Sequence, residues 1–275
     1  MSSQQEILRA HGIKPVKRRG QNFLIDGNLA RAIAQDTLAL GSRVLELGAG
    51  GGALTTHLLD EAERVVCVEI DRKLCAVLEA QFSERENFRL ICGDLARLDW
   101  DAAVEAAGPL PVVAGNLPYV LTSKVLFALA DLRRTVAGGV FMVQKEVAER
   151  LVAEPGGKDY GILAVVMGSI FRIRTLRPVP PTVFWPRPEV DSAVISLTPG
   201  GAWPDEEFQA FVGVVKTLFG QRRKKLRTLW KNLYGSDASE TESIFARAGV
   251  DPDARPEQVD PVAWRRLSAL APRRK

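Results

Sequence analysis

From Arg43 to Gln144 the chain repeats one pattern: a short run rich in Val, Leu and Ile, a Gly, Asp or Asn, then an amphipathic stretch. The runs are RVLELGAG, RVVCVEID, NFRLICGD, PVVAGNLPY and GGVFMVQ. Between them, LTTHLLDEA, RKLCAVLEAQF and LTSKVLFALADL place apolar residues three and four positions apart, the helical period. Strand followed by helix, repeated, predicts an open, mostly parallel α/β sheet. Two more strand candidates, near GILAVVMGSIFRI and DSAVISLTP, follow without a clear helix between them. They predict an antiparallel pair closing one edge of the sheet.

After TPGG at 198–201 the texture changes. EEFQAFVGVVKTLFGQRRKKLRTLWKNL, ETESIFARAG and PVAWRRLSAL read as helices, with no strand signal. Pro199, Gly200 and Gly201 break any regular element there. The expected organisation is therefore an α/β domain over 1–200, which includes a basic N-terminal arm, and a small all-helical domain over 201–275.

Charge is what makes the ends of the chain informative. The formal net charge is only +4, but Arg9, Lys14, Lys17, Arg18 and Arg19 face a single acid, Glu6, in residues 1–20. Lys216, Arg222, Arg223, Lys224, Lys225, Arg227 and Lys231 form a second run with no acid between them. Basic character at the two ends predicts a polyanionic partner, with Arg222, Arg223, Lys224, Lys225 and Arg227 as the phosphate-contacting candidates. Solvated helix faces are the competing reading.

Other classes are disfavoured. No stretch approaches the roughly 18 uninterrupted apolar residues of a membrane span, and MSSQQEILRAHGIK has no apolar signal core. A cytoplasmic protein is expected. Cys67, Cys75 and Cys92 show no paired spacing and read as buried reduced thiols. His11 and His57 offer neither a metal set nor a triad, so no metal is expected.

The chemistry sits at the strand ends. In VLELGAGGGALT, Gly48, Gly50 and Gly52 come straight after a strand and before a helix. Glycines there let the backbone turn tightly and approach a ligand without a Cβ in the way. The dinucleotide spacing is loosely met by Gly48, Gly50 and Ala53, so a nicotinamide cofactor competes at this point. Glu69, about 20 residues on, can accept from both hydroxyls of a ribose, which separates NAD from S-adenosylmethionine no better. Asp94, ending the third strand, can accept from an adenine amine.

The fourth strand ends in GNLPY, which no dinucleotide site requires. Methylation of an exocyclic amine does require such a group. The adenine amine is a poor nucleophile because its lone pair is delocalised into the ring. The Asn116 side-chain oxygen and the Leu117 carbonyl, both acceptors, can hold its two hydrogens and turn the lone pair towards an electrophilic methyl. Pro118 stiffens that carbonyl, and Tyr119 offers a face to stack the base. Direct displacement at a sulfonium needs neither metal nor covalent intermediate.

KRRGQNFLID (17–26), ELGAGGGALT (46–55), VEID (68–71), GD (93–94), GNLPY (115–119), MVQKEVAERL (142–151) and PPTVFWPRPEVDSAVISL (180–197) occur in this order. Together they closely resemble the ribosomal RNA adenine dimethyltransferases, from about residue 10 to the C-terminus. FGQRRKKLRTLW (219–230) is similar to the family's basic helix. The details look more like the small-subunit enzymes than the large-subunit resistance methyltransferases or the mitochondrial transcription-factor relatives.

The resemblance implies a Rossmann-like class I S-adenosylmethionine-dependent sheet with a helical C-terminal domain. It implies that Asn22 and Leu24 cover the cofactor, that Gly48 meets its methionine part, Glu69 its ribose and Asp94 its adenine, and that Gly50 also belongs to the cofactor site. Asn116 would sit where cofactor and target base meet, and Phe184 would stack on the flipped-out adenine opposite Tyr119. Val120 and Leu121 depart from the pattern, where the family usually has Asn-Ile. The implied substrate is a pair of adjacent adenosines near the 3′ end of small-subunit (16S) RNA, within an immature small subunit. The implied state is a monomer. An RNA-binding assembly or transcription factor without activity is the alternative, against which Gly48, Glu69, Asp94 and Asn116 all stand intact. A nicotinamide-dependent oxidoreductase fails for want of a hydride-transfer residue.

Overall fold

The computed structural model describes residues 4–15, 20–201 and 203–272. The basic-arm residues Lys17, Arg18 and Arg19 lie outside the described residues. Among those described there are nine strands: β1 (Phe23–Leu24), β2 (Arg43–Leu47), β3 (Arg64–Glu69), β4 (Phe88–Cys92), β5 (Val112–Asn116), β6 (Gly138–Gln144), β7 (Phe171–Val179), β8 (Phe184–Trp185) and β9 (Ser192–Pro199). Seven form one sheet in the order β4-β3-β2-β5-β6-β9-β7. The pairs from β4 to β6 are all parallel, as the alternating pattern predicts. β9 runs antiparallel to β6, and β7 lies beyond it at the edge.

Burial explains the strand sequences. Val44, Leu45 and Leu47 of β2 and Val65, Val66 and Val68 of β3 are fully buried, as expected of parallel strands covered on both faces. Helices Gly27–Leu38 and Ala53–Glu61 supply part of that cover, placing Ala30, Ile33, Leu54 and Leu58 in the same core. Asp26 and Asp71 cap helices Gly27–Leu38 and Arg72–Phe82, accepting from the backbone N–H of Leu29 and Lys73. β1 and β8 form a separate two-stranded ribbon in which Leu24 pairs with Phe184.

Three expectations about local structure need correction. The run GILAVVMGSI is not a strand: Ile162–Ile170 is a helix, and β7 begins only at Phe171. Its Ala164, Val165, Val166, Met167 and Ile170 are all buried. A helix apolar on nearly every side shows the same continuous run as a buried strand, so periodicity could not separate them. The basic stretch is not one helix either. Helix Asp205–Phe219 stops, residues 220–225 turn, and helix Leu226–Tyr234 follows. The third correction concerns the thiols. Cys75 and Cys92 are joined as a disulfide, with Cα atoms 6.2 Å apart, and of the three only Cys67 is free.

The chain divides into two compact units. One comprises residues 1–148 and 173–199, the other 149–172 and 200–275. The return at Pro199 falls where Pro and Gly break the pattern. Residues 149–172, expected in the first domain, instead group with the C-terminal helices: Ile162–Ile170 packs on Asp205–Phe219 and Pro261–Ala269. No helix among the described residues is long and apolar enough to cross a membrane.

Candidate active site

Strand order reverses between β2 and β5, with β3 and β4 outside one and β6 outside the other. In open parallel sheets, ligands bind at the carboxyl ends of the strands flanking such a reversal. A cavity of about 300 Å³ lies there. The glycine loop after β2, Glu69 and Ile70 at the end of β3, Asp94 after β4 and the Asn116–Leu121 turn after β5 form its wall. Gln21, Asn22, Phe23 and Leu24 line it as well.

Gly48, Gly50 and Gly52 adopt φ angles of +71°, +58° and +87°, the left-handed region that glycine enters without penalty. A Cβ on Gly48 would stand 3.7 Å from the Asn116 carbonyl oxygen and 3.9 Å from Pro118 Cδ. It would fill the gap between the two loops. A Cβ on Gly52 would meet the Phe82 ring at 2.6 Å, so this glycine permits the close approach of helix Arg72–Phe82.

Glu69 is only 5% exposed. Its Oε2 accepts from the Gly50 N–H at 2.9 Å, and its Oε1 accepts from the N–H groups of Ile70 and Asp71, each at 2.9 Å. Burial pushes its pKa up, while these three backbone donors favour the ionised form. The carboxylate thus ties the glycine loop to the end of β3 and still faces the cavity. Asp94 accepts from the Ala96 N–H at 2.8 Å, which fixes its carboxylate on the cavity wall.

Asn116 closes the arrangement. Its Nδ2 donates to the backbone carbonyl of Asn22 at 2.8 Å. That carbonyl can only accept, so the amide must turn its NH₂ towards it, and Oδ1 remains as the acceptor for a ligand. Two segments far apart in sequence thereby fix which end of one amide faces the substrate. Pro118 and Tyr119 follow on the cavity wall, and Leu117, also lining it, is buried. Tyr119 donates to or accepts from Ser192 Oγ at 2.8 Å. Burial raises the pKa of its phenol, and the Ser192 bond partly offsets this.

The structure therefore gathers Asn22, Leu24, Gly48, Gly50, Glu69, Asp94, Asn116, Leu117, Pro118 and Tyr119 around one cavity. It does not bring Phe184 to the wall. That ring is 2% exposed and packs in the core with Leu24 and Met142. Arg222, Arg223, Lys224, Lys225 and Arg227 belong to the second unit, all exposed. Arg227 meets Asp253 at 2.7 Å and Glu242 at 3.4 Å, and Lys225 meets Asp253 at 3.2 Å. Acids from later in the chain thus offset part of the basic run.

Glu46 was missed. It lines the cavity from β2 and is 2% exposed. Its Oε2 accepts from Thr55 Oγ1 at 2.7 Å and from Cys67 Sγ at 3.4 Å. Burial raises its pKa to about 7, against the opposing effect of those two hydrogen bonds. The signal was present in the sequence: a carboxylate inside VLEL, a strand otherwise buried on both faces, needs a reason. No group of His, Cys, Asp and Glu among the described residues could hold a metal ion.

The residues present fit S-adenosylmethionine. Acceptors at successive strand ends, Glu69 and Asp94, suit a ribose diol and an adenine amine, and the Gly48 cradle leaves room that a Cβ would fill. A Rossmann-like sheet with this cavity and an oriented Asn in an NLPY turn defines a class I S-adenosylmethionine-dependent methyltransferase.

Comparison with known proteins narrows the class. Residues 14–269 match the family described as ribosomal RNA adenine dimethylase. A ribosomal RNA small subunit methyltransferase A of Moorella thermoacetica is 43% identical over 263 residues, covering 91% of this chain and 90% of that one. Its counterpart in Anaeromyxobacter sp. strain K is 40% identical over 281 residues, covering 96% of each. Among solved structures, the 23S rRNA methyltransferase ErmE has a TM-score of 0.69 at 25% identity, covering 91% of this chain and 99% of its own. A dimethyladenosine transferase from Plasmodium falciparum has a TM-score of 0.71 at 22% identity, covering 86% and 93%. The chain belongs to the ribosomal RNA adenine dimethylase family.

Proposed function

We propose that this protein dimethylates the 6-amino groups of two adjacent adenosines in the 3′-terminal hairpin of small-subunit ribosomal RNA. Its substrate is the RNA within an immature small subunit, and it acts as a cytoplasmic monomer. The observation that carries the reading is the Asn116 amide, turned by its bond to the Asn22 carbonyl so that Oδ1 is offered as an acceptor.

Asn22, Leu24, Gly48, Gly50, Glu69, Asp94 and Asn116 would hold the cofactor. S-adenosylmethionine supplies a methyl on a sulfonium, whose C–S bonding pair stays with sulfur as the new N–C bond forms. The chain's own task is to present the nucleophile. Asn116 Oδ1 and the Leu117 carbonyl take the two amine hydrogens, which draws the nitrogen lone pair out of conjugation with the ring. Both acceptors suit the developing positive charge on nitrogen better than they suit the planar amine, so they stabilise the transition state more than the ground state. The proton then leaves the methylated nitrogen for solvent, and no strong base is needed. Tyr119, on the cavity wall, provides a ring face for a base drawn out of its stack.

The test is direct. Small-subunit RNA from cells lacking the protein should lose two adjacent dimethyladenosines by mass spectrometry, and purified protein should restore them on immature particles. Unchanged RNA in the deletion strain would overturn the assignment.

A further inference from the structure

Tyr119 is anchored at both ends. Its backbone belongs to the rigid turn after β5, while its phenol oxygen lies 2.8 Å from Ser192 Oγ, across 73 residues of sequence. Ser192 is 1% exposed and opens β9, opposite Gln144 at the end of β6. A buried hydroxyl demands a partner, and Tyr119 provides it. With its backbone fixed by Pro118 and its far end fixed by the sheet, the ring has one plane in which to meet a base.

We infer that Ser192 is a positioning residue that, by fixing the Tyr119 ring, governs how far methylation of one adenosine proceeds. The inference rests on the proposed function. An unmethylated amine gives one hydrogen to Asn116 Oδ1 and one to the Leu117 carbonyl. Each transfer uses the nitrogen lone pair to form one N–C bond, leaves the C–S pair on sulfur and releases one proton from nitrogen. After the first transfer only one amine hydrogen remains, so one acceptor of the clamp loses its partner. What still holds the base is stacking, which is comparable in strength to a hydrogen bond. The second transfer therefore depends on the Tyr119 ring more than the first does.

The experiment uses the full chain on immature small-subunit particles, with monomethyl- and dimethyladenosine followed in time by mass spectrometry. Ser192→Ala should slow the second transfer about two- to tenfold, the range that loss of a neutral hydrogen bond spans, and slow the first less. Monomethyladenosine should then accumulate. Ser192→Thr should restore the wild-type ratio. Tyr119→Phe, which keeps the ring, should shift the ratio in the same direction, and the double variant should go no further than either single one. Independently of turnover, ligand-observed NMR with S-adenosylhomocysteine present should show Ser192→Ala losing more affinity for N6-methyladenosine than for adenosine. A folded Ser192→Ala protein with the wild-type ratio, or one slowing both transfers equally, would overturn the inference. If Ser192→Ala does not fold, an unchanged ratio in Tyr119→Phe overturns it instead. Wild-type protein that makes no methylated adenosine at all would overturn the function reading and this inference with it, whereas an unchanged ratio in an active enzyme overturns this inference alone.

Discussion

At the scale of single residues, Asn116 and Glu46 show two kinds of legibility. Asn116 was readable because an amide placed straight after a buried strand and before Leu-Pro-Tyr has few structural reasons to be there. What turns it was not readable, since the Asn22 carbonyl is backbone and every residue carries one. Asn116→Ala should lower kcat about 10²–10³-fold, as deleting one transition-state hydrogen-bonding group does elsewhere. Its affinity for S-adenosylmethionine, measured by calorimetry, should largely remain. Glu46 makes a different prediction, about stability. Its folded pKa of about 7 lies above the ordinary glutamate value of 4.5. Below the unfolded pKa both states hold the proton and no charge has to be buried. As pH rises towards 7 the unfolded chain ionises first, so stability falls through this window and levels off above it. The difference between Glu46→Gln and wild type in urea unfolding should grow in favour of the variant by about 3 kcal/mol between pH 4.5 and 7. A difference independent of pH would show that Glu46 is ionised in the folded protein.

At the scale of elements, strands were legible where their ends carried a punctuating residue and their neighbours a helical period. β2 to β5 met both conditions, and β6, which ends on Gln144, was marked instead by Gly138 and Gly139 at its start. Ile162–Ile170 met neither: its run is apolar throughout, and only the tertiary context of two covering helices makes it helical. The basic stretch failed for the opposite reason. Arg and Lys favour helix, so QRRKK gave no local sign of a turn, although Gly220 before it did. Gly115 exposes how tightly two of these strands approach. With φ at +156°, a Cβ there would sit 2.3 Å from the Leu47 carbonyl oxygen of β2. Backbone cannot yield as a flexible side chain does. Gly115→Ala should therefore cost at least about 3 kcal/mol, at the severe end of overpacking changes, and should lower the urea midpoint without changing the slope. A wild-type midpoint would mean that β2 and β5 can separate at this rung without loss.

At the scale of the molecule, a net charge of +4 says little until its arrangement is known. The sequence places seven basic residues within 216–231 and no acid among them. Folding brings acids to that run: Asp253 to Lys225 and Arg227, Glu242 to Arg227, and Glu257 to within 3.9 Å of Arg222. Arg223 and Lys224 are exposed with no ion pair among the described residues, so they carry charge that a phosphate can take directly. Exposed pairs such as Lys225 with Asp253 contribute little to stability, and a polyanion can compete for their cations. Gln at Arg222, Arg223, Lys224 and Lys225 should therefore leave the unfolding midpoint and the affinity for S-adenosylmethionine close to wild type. Binding to immature small-subunit particles should weaken, and its salt dependence should become shallower by about 0.7–0.9 in logarithmic slope for each phosphate that is no longer neutralised. A double variant at Arg223 and Lys224 alone should produce more than half of that change, because their charges are not shared with acids. Measured across a salt series, an unchanged slope in the quadruple variant would make the turn at 220–225 a solvated surface. Particle recognition would then fall to Arg9 and Lys14 and the rest of the N-terminal basic run.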